Sequence, residues 1–319
     1  MGYVKQKGAY LRTPLRGEAD RFFKGIVTSC AAIVLVIMAG IFLELFRNSR
    51  LSMRQFGLGF LVSQVWNPVT QQFGAASSIF GTLVSTGIAM LIAVPLSLII
   101  ALFLVELAPP TMGRFFGGAI ELLAAIPSII YGMWGLFVFA PFMAEHIQPA
   151  LAKIGGPLPF FQGPPMGIGM LTAGFILALM ILPFVTAVTR DVFQMVPSVV
   201  KESAYGMGAT TWEVTRKVTL RYGLPGIIGA AFLGLSRGIG ETMAITFVIG
   251  NEHRISSSLF EAGNTIASTL ANEFTEASDP MYLSALVELG LALLAITVSV
   301  QLVAQIWLGR MRRGIGGGL

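Results

Sequence analysis

Six stretches of this sequence are apolar almost without interruption: residues 25–46, 78–105, 115–144, 166–189, 225–250 and 281–308. A helix needs about 20 apolar residues to cross the hydrocarbon core of a bilayer, and all six runs are long enough. They are too long and too uniformly apolar for the alternation of barrel strands, so the pattern predicts helices. Pro95, Pro127 and Pro183 fall inside the predicted spans, each as a packing kink or a hinge. The polar stretches between them divide the chain into a tail (1–24), one transmembrane domain (25–309) and a second tail (310–319). About 24 polar and basic residues precede the first apolar run, too many for a cleavable signal, so that run reads as a span that stays.

The connecting loops differ in character. Residues 145–165 are rich in Pro and Gly and read as an ordered turn. Residues 190–224 hold Pro197 and Ser198 as a helix start, Gly206 or Gly208 as a stop, and Thr210 followed by Glu213 as a capping box. This predicts two short amphipathic helices joined by a sharp glycine turn. Loops 47–77 and 252–280 are the other long connections. The second carries Glu252, Glu261, Glu273, Glu276 and Asp279 against Arg254 alone, as a solvated surface or a docking face. His146 and His253 read as isolated, without the neighbours a metal site needs.

Composition agrees with the pattern. The 319 residues are 55% hydrophobic and 12% charged, half the charge of an ordinary soluble domain. Fifteen Lys and Arg lie in the tails and in segments 106–114 and 190–224, and five in 47–77, 145–165 and 252–280. The positive-inside rule then puts both termini on the cytoplasmic side of the membrane, although Arg47, Arg50 and Arg54 run against it. The net charge of +5 is a consequence of topology and gives no reason to invoke nucleic acid. Cys30 is the single cysteine, so no internal disulfide can form.

The chain shows no GxxxxGK[ST], no nucleophile–base pair and no metal-ligand cluster. It is not read as an enzyme. Any ATP and Mg²⁺ that drive it belong to a partner, or else an ion gradient supplies the energy. The candidate chemistry lies in the fifth apolar run, where LSRGIGETMA places Arg237 and Glu241 within 26 residues otherwise free of charge. Ten Leu, Ile, Phe or Val residues there contribute roughly −3 to −6 kcal/mol to insertion, and each charge costs about 3 kcal/mol. The sum is near zero or unfavourable, so this helix is not expected to face lipid. Helical spacing would align Ala230, Gly234, Arg237, Glu241 and Ala244 in one stripe of small and charged residues. The two charges then either neutralise each other as a structural pair, or Arg237 is a fixed cation for a passing anion with Glu241 beside it. A guanidinium suits an oxyanion, and an adjacent carboxylate can accept from the P–OH of phosphate, which sulfate lacks.

The loop at 190–224 carries a resemblance. Glu202-Ser203-Ala204, Gly208, Val218 and Leu220 are similar to the EAA pattern, E-A-A-x3-G-x9-I-x-L-P, of ABC importer permeases. Ser203, Val218 and Arg221 depart from its Ala, Ile and Pro. The segments FGTLVSTGIAMLIAVPLSLIIALFLVELAP (80–109), ELLAAIPSIIYGMWGLFVFAP (121–141) and LGLSRGIGETMAITFVIGN (233–251) resemble the PstC family, the permeases of phosphate-specific importers. The resemblance implies a type I ABC importer fold with a cytoplasmic coupling helix. It also implies a sister permease PstA, a dimer of the ATPase PstB and a periplasmic phosphate-binding protein PstS. Within the family's R-x-x-G-E-T motif, Arg237 and Glu241 would serve passage of inorganic phosphate. Glu202, Ser203, Ala204, Gly208 and Leu220 would meet the ATPase. A permease for sulfate, molybdate or tungstate is the nearer rival, and a lone ion-coupled carrier or channel the more distant one.

Overall fold

The computed structural model describes residues 15–156 and 158–316, and side chains from residue 20 to residue 310 of these. Two units are distinct, residues 1–48 and 49–319. In the first, α1 (Leu15–Asn48) is a single helix. Its apolar residues from Asp20 on cover every face, as suits a helix that crosses a bilayer. At its end Arg47 pairs with Glu44 at 3.8 Å, one turn back.

The second unit starts with two short helices, α2 (Arg50–Phe56) and α3 (Gly59–Val62). Four further elements are long and apolar enough to span a bilayer before the last one: α4 (Ala76–Leu107), α6 (Ser128–Ile154), α7 (Met170–Gln194) and α9 (Thr211–Ile239). Between them lie α5 (Pro110–Ala124), α8 (Ser198–Gly206), α10 (Met243–Thr246) and α11 (Ile266–Glu273). The chain closes on α12 (Pro280–Gly316), the sixth span when α1 is included. The expected all-α architecture with six spans is therefore present.

Helix α7 is the centre of the unit. About two thirds of its apolar window is buried, against 22–28% for the other spans of this unit. It packs most extensively on α4 and then on α9 and α5. Ala89 and Ala93 of α4, Ile176, Leu177, Met180, Ile181 and Val185 of α7, and Ala230 of α9 form the main core. Pro95 and Pro183 stand inside α4 and α7. Near them the Ser97 hydroxyl donates to the Leu182 carbonyl at 3.0 Å, a polar bond between these two helices.

Three expectations need correction. The third apolar run is two helices, not one: α5 is amphipathic and ends at Ala124, and α6 begins afresh at Ser128. Pro127 is the residue before that start, so it opens a helix instead of kinking one. His253 is not isolated. Its ring stacks on Trp66 at 5.2 Å, its Nε2 lies 2.7 Å from Glu273, and Asn264 Nδ2 is 2.9 Å from its Nδ1. The Glu273 carboxylate also accepts from Trp66 Nε1 and from the Tyr282 hydroxyl.

Burial pushes the Glu273 carboxyl up, but the bonds from His253, Tyr282 and Trp66 outweigh it and hold the group below the usual carboxylate range. Its folded pKa is thus depressed. The stabilisation it gives is complete above the unfolded value, about 4.3, and is lost as pH falls through the folded one. Glu273→Ala strands the buried donors of Trp66 and Tyr282 and should cost about 2–3 kcal/mol. Hydrogen exchange across residues 252–280 should accelerate accordingly; unchanged protection would show that the network does not hold this loop.

Candidate functional site

The fifth span departs most from the sequence pattern. The capping box forms as predicted: Thr210 Oγ1 accepts from the Glu213 N–H, and the Glu213 carboxylate accepts from the Thr210 N–H at 3.0 Å. The helix it opens is not short. It runs through Arg221 and Pro225 to Ile239 without a second start, so the latter half of the 190–224 loop and the span are one rod.

That rod then stops early. Gly238, Gly240 and Thr242 are poor helix formers in succession, and the backbone leaves the helix at Gly240 to Thr242 before α10 begins. Arg237 lies sixteen residues, about 24 Å, beyond Arg221, in the last turn of α9. At that position the partial negative charge of the helix C-terminus favours a cation. A backbone break within the apolar run 225–250 leaves peptide groups without helical partners. At membrane depth such a break is tolerated only against protein or a water-filled cavity.

The predicted stripe does not survive this break. Ala230, Gly234, Glu241 and Ala244 are buried, whereas Arg237 is exposed. Arg237 and Glu241 form no ion pair among the described residues. Glu241 instead accepts from the Ala244 N–H at 3.1 Å and caps the first turn of α10. The guanidinium of Arg237 sits 5.8 Å from the centre of the Phe184 ring of α7, a cation–π contact. The exposed cation on α9 thus lies against α7, while the Tyr131 hydroxyl of α6 donates to the Leu123 carbonyl at 3.0 Å. Phe184 was not legible as a site residue, because it carries no charge and lies in a uniformly apolar run.

The α10 segment is held by close packing on α6. At Gly132 a Cβ would stand 2.8 Å from the Phe247 ring and 3.0 Å from the Ala244 Cα, so only glycine admits the returning backbone. On the other side of the site, Ser236 of α9 donates to Gln301 of α12 at 3.1 Å.

The 198–222 segment, expected to be the coupling segment, is built as a turn between two helices. Helix α8 ends in a Schellman motif: Ala209 N–H bonds the Ala204 carbonyl at 3.1 Å, Gly208 N–H bonds Tyr205 at 2.9 Å, and Gly208 has φ +86°. Gly208, not Gly206, is therefore the stop. Glu202 and Ser203 are exposed, and Ala204 is half-buried. A cleft of about 390 Å³ at the elbow brings Ala204 and Gly208 together with Glu213, Lys217 and Val218. Leu220 lies further along α9, where its N–H closes a π turn over Thr215–Thr219. Val199, Met207 and Trp212 expose large apolar side chains around the elbow.

Comparison with known proteins gives a consistent result. The model of a family described as "Binding-protein-dependent transport system inner membrane component" matches residues 75–313. A Mesorhizobium japonicum protein named "Phosphate transport system permease protein PstC" is 52% identical over 296 residues, 92% of this chain and 90% of the relative. A Haemophilus influenzae protein of the same name is 49% identical over 301 residues, 93% and 95% of the two chains. Mycobacterium tuberculosis "Phosphate transport system permease protein PstC 1" is 37% identical over 266 residues, 81% and 78%. Among solved structures, a chain of a bacterial alginate ABC transporter aligns at a TM-score of 0.61 and 16% identity, covering 92% of this chain and 96% of that one. A chain of the MetNI methionine ABC transporter aligns at 0.57 and 17%, covering 77% and 99%. At these identities the structures speak for the fold alone: the arrangement of spans is that of ABC importer permeases.

Proposed function

This chain belongs to the family of binding-protein-dependent transport system inner membrane components, and on that premise we propose that it is the permease subunit of an ATP-driven phosphate importer. The observation that carries the reading is the near-half identity to relatives named phosphate transport permeases over more than 90% of the chain. The chain is a multi-pass membrane protein that works with a separate ATPase and an external binding protein. The partners of this reading are a sister permease, a dimeric ATPase and a periplasmic phosphate-binding protein, matching PstA, PstB and PstS. Both termini and the 190–224 loop lie in the cytoplasm.

In this account phosphate leaves the binding protein and enters a passage shared with the sister permease. Arg237 offsets part of the cost of dehydrating the anion, because a guanidinium in a low-dielectric wall attracts an oxyanion far more strongly than in water. Its exposure at the end of a broken helix, with no carboxylate partner among the described residues, leaves its donors open to a substrate. Glu241 shapes the break that presents Arg237 and does not neutralise it. Closure of the ATPase dimer is carried into the spans through α8 and the rigid rod of α9.

The test is uptake by the reconstituted complex. Radiolabelled phosphate should accumulate in an ATP-dependent manner, and excess sulfate, molybdate or tungstate should compete poorly. Efficient competition by one of these would reassign the substrate, and uptake without the ATPase would reassign the class.

A further inference from the structure

At the inner end of the unit, Glu106 of α4 lies against Lys201 of α8 and Thr219 of α9. One carboxylate oxygen, Oε1, is 2.6 Å from Lys201 Nζ and accepts from Thr219 Oγ1 at 2.8 Å. The Glu106 side chain is 6% exposed and that of Lys201 17%. A pair this buried is little screened by salt, and its bonds are of the strong, charge-assisted kind.

Helix α8 has hardly any other purchase on the spans. It buries no residue fully, and of its nine residues only Lys201 and Ala204 are even half-buried. Ala204 is too small to resist sliding, and Ser203 spends its hydroxyl on the Val199 carbonyl within α8 itself. The elements that carry Glu106 and Thr219 are also locally distorted in the same way. Glu106 sits in a π turn, Phe103–Leu107, closed by the Ala108 N–H on Phe103 at 2.8 Å, and Thr219 sits in the π turn Thr215–Thr219. A π turn inserts a residue into the helix and re-aims the side chains around it, and such turns gather at working sites. Here the two insertions turn Glu106 and Thr219 toward one point beside α8.

We propose that the Glu106–Lys201 pair, braced by Thr219, is the clasp that transmits movement of α8 to the inner ends of α4 and α9. This rests on the reading of α8 as the ATPase-docking helix. Glu106 and Lys201 are positioning residues: they touch neither phosphate nor nucleotide, and they keep a push or pull on α8 from being absorbed by slippage. Losing the clasp leaves the ATPase free to bind and turn over while less of each stroke reaches the passage.

The experiment uses the full transporter in proteoliposomes and reads three quantities: ATPase retained on purification, ATP hydrolysed, and phosphate imported per ATP. Glu106→Gln keeps the shape and a bond to Thr219 but removes the charge pair. It should leave retention and hydrolysis within about twofold and lower phosphate per ATP by about fivefold or more. The exchange Glu106→Lys with Lys201→Glu rebuilds the pair in reverse and should recover most of the ratio. An unchanged ratio in Glu106→Gln overturns the clasp, and so does an exchanged pair that retains the ATPase yet stays uncoupled. Loss of ATPase retention in Glu106→Gln would overturn it too, assigning the pair to docking. Failure of the docking reading itself shows separately, as full ATPase retention in a variant that breaks the α8 elbow at Gly208.

Discussion

Arg237→Gln is expected to abolish most phosphate uptake while the complex still assembles and hydrolyses ATP. The substitution removes one charge from an exposed side chain that has no ion-pair partner among the described residues, so no buried carboxylate is stranded by it. Its loss to folding is the contact with Phe184, about 0.5–2 kcal/mol. Its loss to transport is larger, because an anion crossing the site forfeits charge-assisted hydrogen bonds of about 1.5–3 kcal/mol. That energy converts to a 10- to 100-fold fall in uptake. Arg237→Lys should recover only part of it, since an ammonium lacks the two-pronged geometry that matches phosphate. Uptake near the normal rate in Arg237→Gln would make the residue a helix-end cation and nothing more. Glu241→Gln offers a contrast. It keeps an oxygen for the Ala244 N–H and should reduce uptake far less than Arg237→Gln, in the same assay.

The second large effect is expected at the elbow. Gly208 has φ +86°, and a Cβ there meets no atom within 4 Å, so strain in the backbone and not crowding sets the cost. A β-branched residue in this conformation costs about 1–3 kcal/mol. Gly208→Val should therefore unwind the Schellman turn and shift Glu202 and Ser203 relative to Thr210. Retention of the ATPase should weaken about 5- to 150-fold. Gly208→Asn should be milder, because Asn tolerates left-handed backbone. Equal retention in all three forms would remove the elbow from the docking interface.

These two sites were unequally visible in the sequence. The elbow was nearly complete there, because a glycine stop and a capping box act within a few residues and their chemistry is local. The charges at Arg237 and Glu241 stand out in the sequence, but the single stripe drawn for them does not form. Hydropathy averages over residues 225–250 see one apolar run, and only the succession Gly238, Gly240, Thr242 hints that the helix ends inside it. The same averaging fused α5 with α6 across Pro127. The pairing of Glu106 with Lys201 and the bonds of Glu273 to Trp66 and His253 join segments far apart in the chain. No spacing rule reaches contacts that only packing creates. Glu121 and Glu288 divide in the same way. Glu121 finds Arg190 across the α5–α7 contact, whereas Glu288 lies buried on α12.

The central claim is that the Arg237 position faces water within the assembled transporter, and chemical accessibility tests it most directly. With Cys30 replaced by Ser, Arg237→Cys in the purified complex should react with a charged, membrane-impermeant thiol reagent. Saturating phosphate with the binding protein should slow that reaction. Reaction with a lipid-soluble reagent alone, or with neither, would place the side chain against acyl chains or in dry packing and contradict the account.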